Sequence, residues 1–228
     1  FGDVTAIGSA GRYEFATICG FLNDTIVFER TLLNTYDPAG ALQLVRIPVY
    51  NNVTVTGLLQ APDWNPVTGT GGVLALIVNG TLTLQASVSA NGAGFKGGAH
   101  FVNAQGNCGQ VSGYFYSLAA SSGSNRGGAP KGEGIAALIT GKEHGRGKQA
   151  NGGGGGNVDN TGGGGGGNFG AGGEGGDKTN AGLCNASTSG VGGLALGATG
   201  YAAANNRIFL GGGGGCGEMN NIYSTPFG

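Results

Sequence analysis

The first candidate for chemistry is a glycine motif that follows a strand-like segment. Residues 92–97, Gly-Ala-Gly-Phe-Lys-Gly, have the GxGxxG spacing with which a dinucleotide-binding loop approaches a pyrophosphate. Such a loop requires a helix that begins at its third glycine and an acidic residue about twenty positions later. The sequence has neither, and Gly147-Lys148 lacks the Ser or Thr that completes a phosphate-binding loop. We interpret both glycine motifs as structural.

Metal and thiol chemistry has few candidates in this chain. His100 and His144 are too few for a zinc site, because no cysteine pair with CxxC spacing accompanies them. The cysteines are even in number but widely spaced, at positions 19, 108, 184 and 216. We predict a disulfide between Cys108 and Cys184, with free buried thiols as the alternative.

Amide and carboxylate oxygens flank the glycine runs at Asn151, Asn157, Asp159 and Asn160. These oxygens could ligate Ca²⁺, but the Gly-Gly-x-Gly-x-Asp calcium repeat is not met. The favoured interpretation is that these side chains bond to backbone groups where a glycine helix ends. We predict no cofactor, with Ca²⁺ as the open alternative.

The chain also contains three uninterrupted glycine runs, at 152–156, 162–167 and 211–215. Such runs are typical of flexible linkers. The spacers between them, however, carry apolar residues that need burial, as in Gly-Leu-Ala-Leu-Gly at 193–197. No Gly-X-Y period supports a collagen helix. We predict that the runs are short polyglycine-II helices of the polyproline-II type, packed backbone against backbone.

Charge and hydropathy exclude several partners. The net charge is −1 and charged residues make up only 10% of the chain, which argues against a nucleic-acid or anionic-membrane surface. No apolar run approaches the ~20 residues that span a bilayer, so we predict no membrane insertion. The one basic cluster, Lys142, His144, Arg146 and Lys148, is predicted to be a solvated loop.

The chain divides by composition into two parts. Residues 1–91 contain 10 of the 54 glycines, and their β-branched or aromatic runs predict strands at 13–19, 25–29, 42–47 and 53–56. No helical period of useful length occurs anywhere in the chain. Residues 73–78 lead through Asn79-Gly80 into alternating residues 81–89, a pattern that predicts a β-hairpin. We predict a mostly β fold, an antiparallel β-sandwich of the jelly-roll or TNF-like kind (1–91) packed as one unit on a glycine bundle (92–228). The chain is expected to be a fragment of a larger protein.

Ordered motifs along most of the chain resemble a known family. The segments with this resemblance include Gly-Val-Leu-Ala-Leu at 72–76, Gly-Thr-Leu-Thr-Leu at 80–84, and residues 44–50, 62–66, 89–98, 131–135, 145–152, 160–170 and 207–215. Together they resemble a glycine-rich module of large secreted Bacteroidetes surface proteins, including adhesin-like proteins of gliding bacteria exported by the type IX secretion system. The architecture also resembles the glycine-rich domain of the anaplastic lymphoma kinase receptor family and phage tail-fibre adhesins.

This resemblance implies a non-catalytic, secreted cell-surface adhesin or structural module linked to surface adhesion or gliding motility. Its partners would be surface glycans and, during export, the secretion machinery. The alternative is a receptor-recognition module, either a phage tail-fibre tip or a ligand-binding ectodomain. Because Asp24-Thr25-Ile26 resembles the O-glycosylation motif of Bacteroidetes, Thr25 is a candidate acceptor.

The residues expected to contact a surface are those that remain available outside the glycine runs. Aromatic rings with amide or carboxylate neighbours suit weak contacts with sugars. The candidates are Phe169, Tyr201, Tyr223, Asn157 and Asp159.

Overall fold

The fold was analysed in a computed structural model that describes residues 2–4, 6–101, 113–117, 128–158, 160–177, 188–197 and 206–218. These residues contain short strands and no helix, so the prediction of a mostly β fold is confirmed. The strands are β1 (Ile18–Leu22), β2 (Thr25–Phe28), β3 (Val49–Tyr50), β4 (Val53–Val55), β5 (Leu59–Gln60), β6 (Ile77–Val78), β7 (Leu82–Leu84) and β8 (Val88–Ser89).

β1 and β2 form an antiparallel hairpin closed by a two-residue turn. Asn23 enters the left-handed region at φ 51°, which asparagine tolerates better than most residues. The chain after the hairpin is held by Glu14, whose carboxylate accepts hydrogen bonds from the Leu33 and Asn34 amides at 2.8 and 3.0 Å. These bonds, the Leu33 amide foremost, lower the pKa of Glu14.

The other six strands form two stacked rungs. The first rung (residues 49–60) carries β3, β4 and β5, and the second rung (residues 77–89) carries β6, β7 and β8. Each strand of one rung pairs in parallel with its counterpart in the other, so that Val-Thr-Val of β4 lies beside Leu-Thr-Leu of β7. Registered residues of parallel strands point to the same side of the sheet. Side chains of similar polarity therefore lie beside each other in the two rungs.

The predicted hairpin at Asn79-Gly80 is wrong. β6 and β7 do not pair with each other, and neither Asn79 nor Gly80 has the positive φ that a type I′ turn needs. The dipeptide instead forms a corner stacked on Asn51-Asn52 of the first rung. The Gly80 amide donates to the Asn51 carbonyl at 2.7 Å, and the Thr81 amide donates to Asn52 Oδ1 at 2.7 Å.

This stacking also corrects the expected direction of strand pairing. Three of the four strand pairs in the described chain are parallel, whereas an antiparallel sandwich requires antiparallel neighbours. The physical reason lies at the corner. The backbone amides of Gly80 and Thr81 bond to Asn51 and Asn52 of the neighbouring rung, so the chain need not fold back on itself to satisfy them.

In the glycine-rich part, short extended segments bond to one another through their backbones. Gly153 and Gly156 donate to the segment 211–216, and Gly154 and Asn157 donate to the segment 188–191, each at 2.9 Å. Residues three positions apart thus donate their hydrogen bonds to the same neighbouring segment. The same repeat occurs along the other two runs, in the bonds of residues 162 and 165, 164 and 167, 212 and 215, and 213 and 216.

The two parts of the chain meet at Trp64. Its ring is buried and packs edge-to-face on Phe95, with the centroids 5.1 Å apart. Its Nε1 donates to Glu133 Oε2 at 3.1 Å, and the same oxygen accepts from the Lys96 amide. One carboxylate therefore joins the loop between the rungs to the first segments of the bundle.

Candidate functional site

The glycine runs pack closely against the backbones of neighbouring segments. At thirteen of their sixteen glycines, an added Cβ would lie under 3.0 Å from an atom of a neighbouring segment, and that atom is almost always backbone. Real Cβ atoms essentially never approach so closely. Glycine is required at these positions by the distance between segments, because almost any side chain would push them apart.

Asn151 joins three segments from a fully buried position. Its Oδ1 accepts from the Ile135 amide at 2.8 Å, and its Nδ2 donates to the carbonyls of Gly167 and Leu210 at 3.2 and 3.1 Å. The side chain thus substitutes for backbone partners where the first run begins, as the structural interpretation predicts. The described residues contain no group of three or more His, Cys, Asp or Glu side chains placed to hold a metal.

Asn157 was expected at the surface, and that expectation is wrong. Its side chain is only 8% exposed, and its Nδ2 donates to the Gly113 carbonyl at 2.8 Å. The amide holds the separate 113–117 segment against the end of the first run. Asn157 therefore serves packing within the bundle.

The basic cluster is not the solvated loop that its charge predicts. His144 and Arg146 are buried, and Lys148 is mostly shielded and pairs with Asp3 at 2.8 Å. Arg146 Nε donates to the Ser189 carbonyl at 3.1 Å, and its guanidinium lies 5.3 Å from the Tyr114 ring centre. The missed signal is the alternation of this cluster with glycines, the same packing signal that the glycine runs carry.

Lys131 is the residue that sequence reasoning overlooked. It is 2% exposed, and its Nζ donates to the carbonyls of Tyr114, at 2.7 Å, and Gly147. Burial lowers the pKa of Lys131 from 10.5 to about 7. Burial likewise lowers the pKa of His144, whose Nδ1 lies 2.8 Å from the Gly128 carbonyl.

These buried cations act on the protein's own backbone. Lys131 and Arg146 donate to carbonyl groups of other segments. A charge that is buried needs such partners, because it would otherwise lose its hydration without compensation. The arrangement therefore ties the segments 113–117, 143–147 and 188–191 together.

Phe169 is the predicted contact residue that the structure places at the surface. It is 76% exposed and lies in the turn after the second run, where the Asn168 carbonyl accepts from the Leu196 amide at 2.7 Å. The ring lies over Gly197, where an added Cβ would come under 3.0 Å from it. A turn whose backbone is hydrogen-bonded to Leu196 thus carries a largely exposed ring.

The remaining predicted residues are distributed as follows. Thr25 is exposed at the start of β2. Cys19 is an exposed free thiol and Cys216 a half-buried one. Tyr201, Tyr223, Asp159, Cys108 and Cys184 lie outside the described residues.

A shallow cleft of about 300 Å³ lies beside the start of the bundle. Its lining includes Asp3, Val4, Ala136, Ile139 and Gln149. The Asp3 carboxylate is engaged with Lys148, and this partner, foremost through its hydrogen bond, lowers the pKa of Asp3. The cleft therefore has a carboxylate that is already paired with Lys148, beside apolar side chains.

No protein-family model, curated protein or solved structure matches this chain. Within the described ranges, no helix is long and apolar enough to cross a membrane.

Proposed function

We propose that this chain is a non-catalytic, secreted cell-surface adhesin or structural module, carried by the type IX secretion system and used in surface adhesion or gliding. Its glycine runs are polyglycine-II helices that form a rigid scaffold, and the turns at the scaffold's ends carry the contact residues. The observation that carries the proposal is the exposed Phe169 ring on a backbone-bonded turn.

The hydrogen-bond pattern supports the helix assignment. A polyproline-II helix has three residues per turn and no internal hydrogen bonds, so its groups must pair with neighbours in directions that repeat every three residues. Residues 153–157 bond in this way: residues 153 and 156 donate toward 211–216, residues 154 and 157 toward 188–191, and residue 155 toward Gly145. An extended β-strand would instead alternate between two directions with a period of two.

The distribution of side chains supports a display role. Glycine gives the flanks of the runs no side chain with which to recognise a ligand. The charged groups at the centre, Lys131 and Arg146, are committed to backbone carbonyls. An aromatic ring on a turn is suited to weak stacking on sugars or other polar surfaces, and many copies raise weak contacts to firm adhesion through avidity.

Beads that display many copies of the chain test this function. We expect them to adhere to a polysaccharide-coated surface, whereas the single chain binds a small glycan no tighter than about millimolar. Phe169→Ala should lower the adherent fraction several-fold. Phe21→Ala is the matched control, because Phe21 is 73% exposed but lies in strand β1 and not on a turn of the glycine-rich part, and it should leave adhesion unchanged.

Two results would contradict the proposal. Turnover of a substrate by the free chain would make it an enzyme. Nanomolar binding of one protein partner, together with no adhesion of the beads, would favour a receptor-recognition module. Tyr201→Ala and Tyr223→Ala extend the test to the other predicted contact residues.

A further inference from the structure

The second glycine run (162–167) and the third (211–215) lie side by side, joined by backbone hydrogen bonds of 2.8 Å. Three segments bond to this pair: the first run (152–156), residues 130–133 and residues 190–193. The latter two segments also bond to the first run, so all three lie on the same side of the pair.

The second run directs two unpaired amides to the opposite side. A trans peptide points the C=O of one residue and the N–H of the next in opposite directions. The carbonyls of residues 162 and 165 accept from the 190–193 segment, so the N–H groups of Gly163 and Gly166 point away from that segment. Neither amide donates a hydrogen bond within the described chain, and both glycines are half-buried.

The third run directs two unpaired carbonyls to the same side. The amides of residues 213 and 216 donate to the 130–133 segment, so the carbonyls of Gly212 and Gly215 point away from it. These carbonyls accept no hydrogen bond from the described residues. The two runs therefore border a groove, the glycine groove, with hydrogen-bond donors on one wall and acceptors on the other.

Gly211 and Gly214 have no reason within the described chain to be glycine. An added Cβ at Gly211 would meet nothing within 4 Å, and at Gly214 it would make only an ordinary contact of 3.5 Å with the second run. Neither residue has a positive φ. At Gly212 and Gly213, by contrast, a Cβ would collide with backbone on the covered sides of the run. In a helix with three residues per turn, positions 211 and 214 share the remaining direction, toward the groove. Glycine there keeps the groove clear.

The chain itself shows what kind of strand fits between two such walls. Residues 170–177 lie against the second run and the 190–193 segment. Every third amide of this strand donates to 190–193, and every third carbonyl accepts from the second run. An added Cβ at Gly172 would collide with the second run, whereas Glu174 points to solvent. Its sequence at 172–177 is Gly-Gly-Glu-Gly-Gly-Asp.

From these observations we infer that the glycine groove binds one further glycine helix, a segment of another protein with Gly-Gly-x repeats. Its carbonyls accept from the Gly163 and Gly166 amides, and its amides donate to the Gly212 and Gly215 carbonyls. Each pair of groups lies three residues apart, about 9.3 Å in a polyproline-II helix, so one register satisfies both walls. The residue x faces solvent and is free to vary. This inference goes beyond the proposed function and does not depend on it.

Titration of the isotope-labelled chain with a peptide of three Gly-Gly-Glu repeats, followed by NMR, tests the groove. We expect the amide signals of Gly163 and Gly166 to shift and to saturate with a Kd of about 0.1 to 1 mM, because ordering a flexible glycine peptide costs entropy. Hydrogen exchange of the same two amides should slow at least about tenfold. A peptide of three Ala-Ala-Glu repeats is the matched control and should cause no shift, because in every register its methyl groups keep the backbones apart.

Gly214→Leu should weaken binding of the Gly-Gly-Glu peptide at least about tenfold, because the new side chain occupies the groove. Gly211→Leu tests the same wall should the first variant fail to fold, with circular dichroism as the check on folding. Gly173→Leu is the control variant, since a Cβ there meets nothing within 4 Å and lies on the strand 170–177. It should leave binding unchanged.

Three results would overturn the inference. They are the absence of any shift at about 5 mM peptide, equal shifts with the Ala-Ala-Glu peptide, and equal weakening by Gly214→Leu and Gly173→Leu. None of these measurements involves adhesion, so failure of the groove and failure of the proposed function are distinguishable.

Discussion

Lys131 has the largest side chain that is fully buried within the described chain, and it lies in the half where glycine predominates. A buried cation there needs hydrogen-bond acceptors, and the neighbouring segments supply backbone carbonyl groups. Its Nζ donates to the Tyr114 and Gly147 carbonyls. Sequence alone could not identify this role, because a lysine among glycines is ordinarily solvated.

The buried lysine predicts a pH dependence of stability. The unfolded chain holds the Lys131 proton up to a pKa near 10.5, whereas the folded chain releases it near a pKa of about 7. Between these values the unfolded state binds more protons, so the free energy of unfolding should rise with pH.

Guanidinium titrations between about pH 7 and pH 8.5 measure this rise. Lys131→Met should flatten the slope of stability against pH. Lys96→Met, at an exposed position, should keep it. Equal slopes in the wild type and Lys131→Met would show that burial does not lower the pKa of this lysine.

At the scale of elements, the glycine runs and the strands differed in how far local sequence predicts them. β2 and β4 were expected almost at their observed bounds, because β-branched residues between turn residues are a local signal. The predicted strand at residues 42–47 is absent. The hairpin prediction failed because the amides of Asn79 and Gly80 bond to the carbonyls of Tyr50 and Asn51, and no local pattern specifies these distant neighbours.

The third glycine run offers a matched pair of positions for testing backbone packing. An added Cβ at Gly212 would collide with the Asn151 backbone, whereas at Gly211 it would meet nothing within 4 Å. Neither glycine has a positive φ. The two alanine substitutions therefore differ in packing, while their backbone demands are alike.

We expect Gly212→Ala to lower the free energy of unfolding by about 3 kcal/mol, through overpacking and the loss of inter-segment hydrogen bonds. Gly211→Ala should change it by less than about 0.5 kcal/mol. Chemical denaturation of both variants gives the comparison. If both substitutions are tolerated equally, the runs do not pack backbone on backbone.

At the scale of the whole molecule, composition indicated two parts, and Trp64, Phe95 and Glu133 link them. The glycine part was recognisable because its apolar spacers need burial, and that argument requires no knowledge of the fold. The sequence could not predict which glycine segments lie side by side. Glycine has no side chain that could select the segment packed against it. The arrangement therefore depends on scattered residues such as Asn151 and Arg146, whose side chains bond to other segments.

Hydrogen exchange of the backbone amides tests most directly whether the glycine runs are a packed scaffold. Amides that are bonded within a cooperative structure exchange only when that structure opens. We expect the bonded amides of residues 153–157, 162, 164, 165 and 167 to be protected at least as strongly as those of β4 and β7. Exchange at the rate of an unstructured peptide throughout 152–167, with β4 and β7 protected, would show that the runs are linkers and would contradict the scaffold.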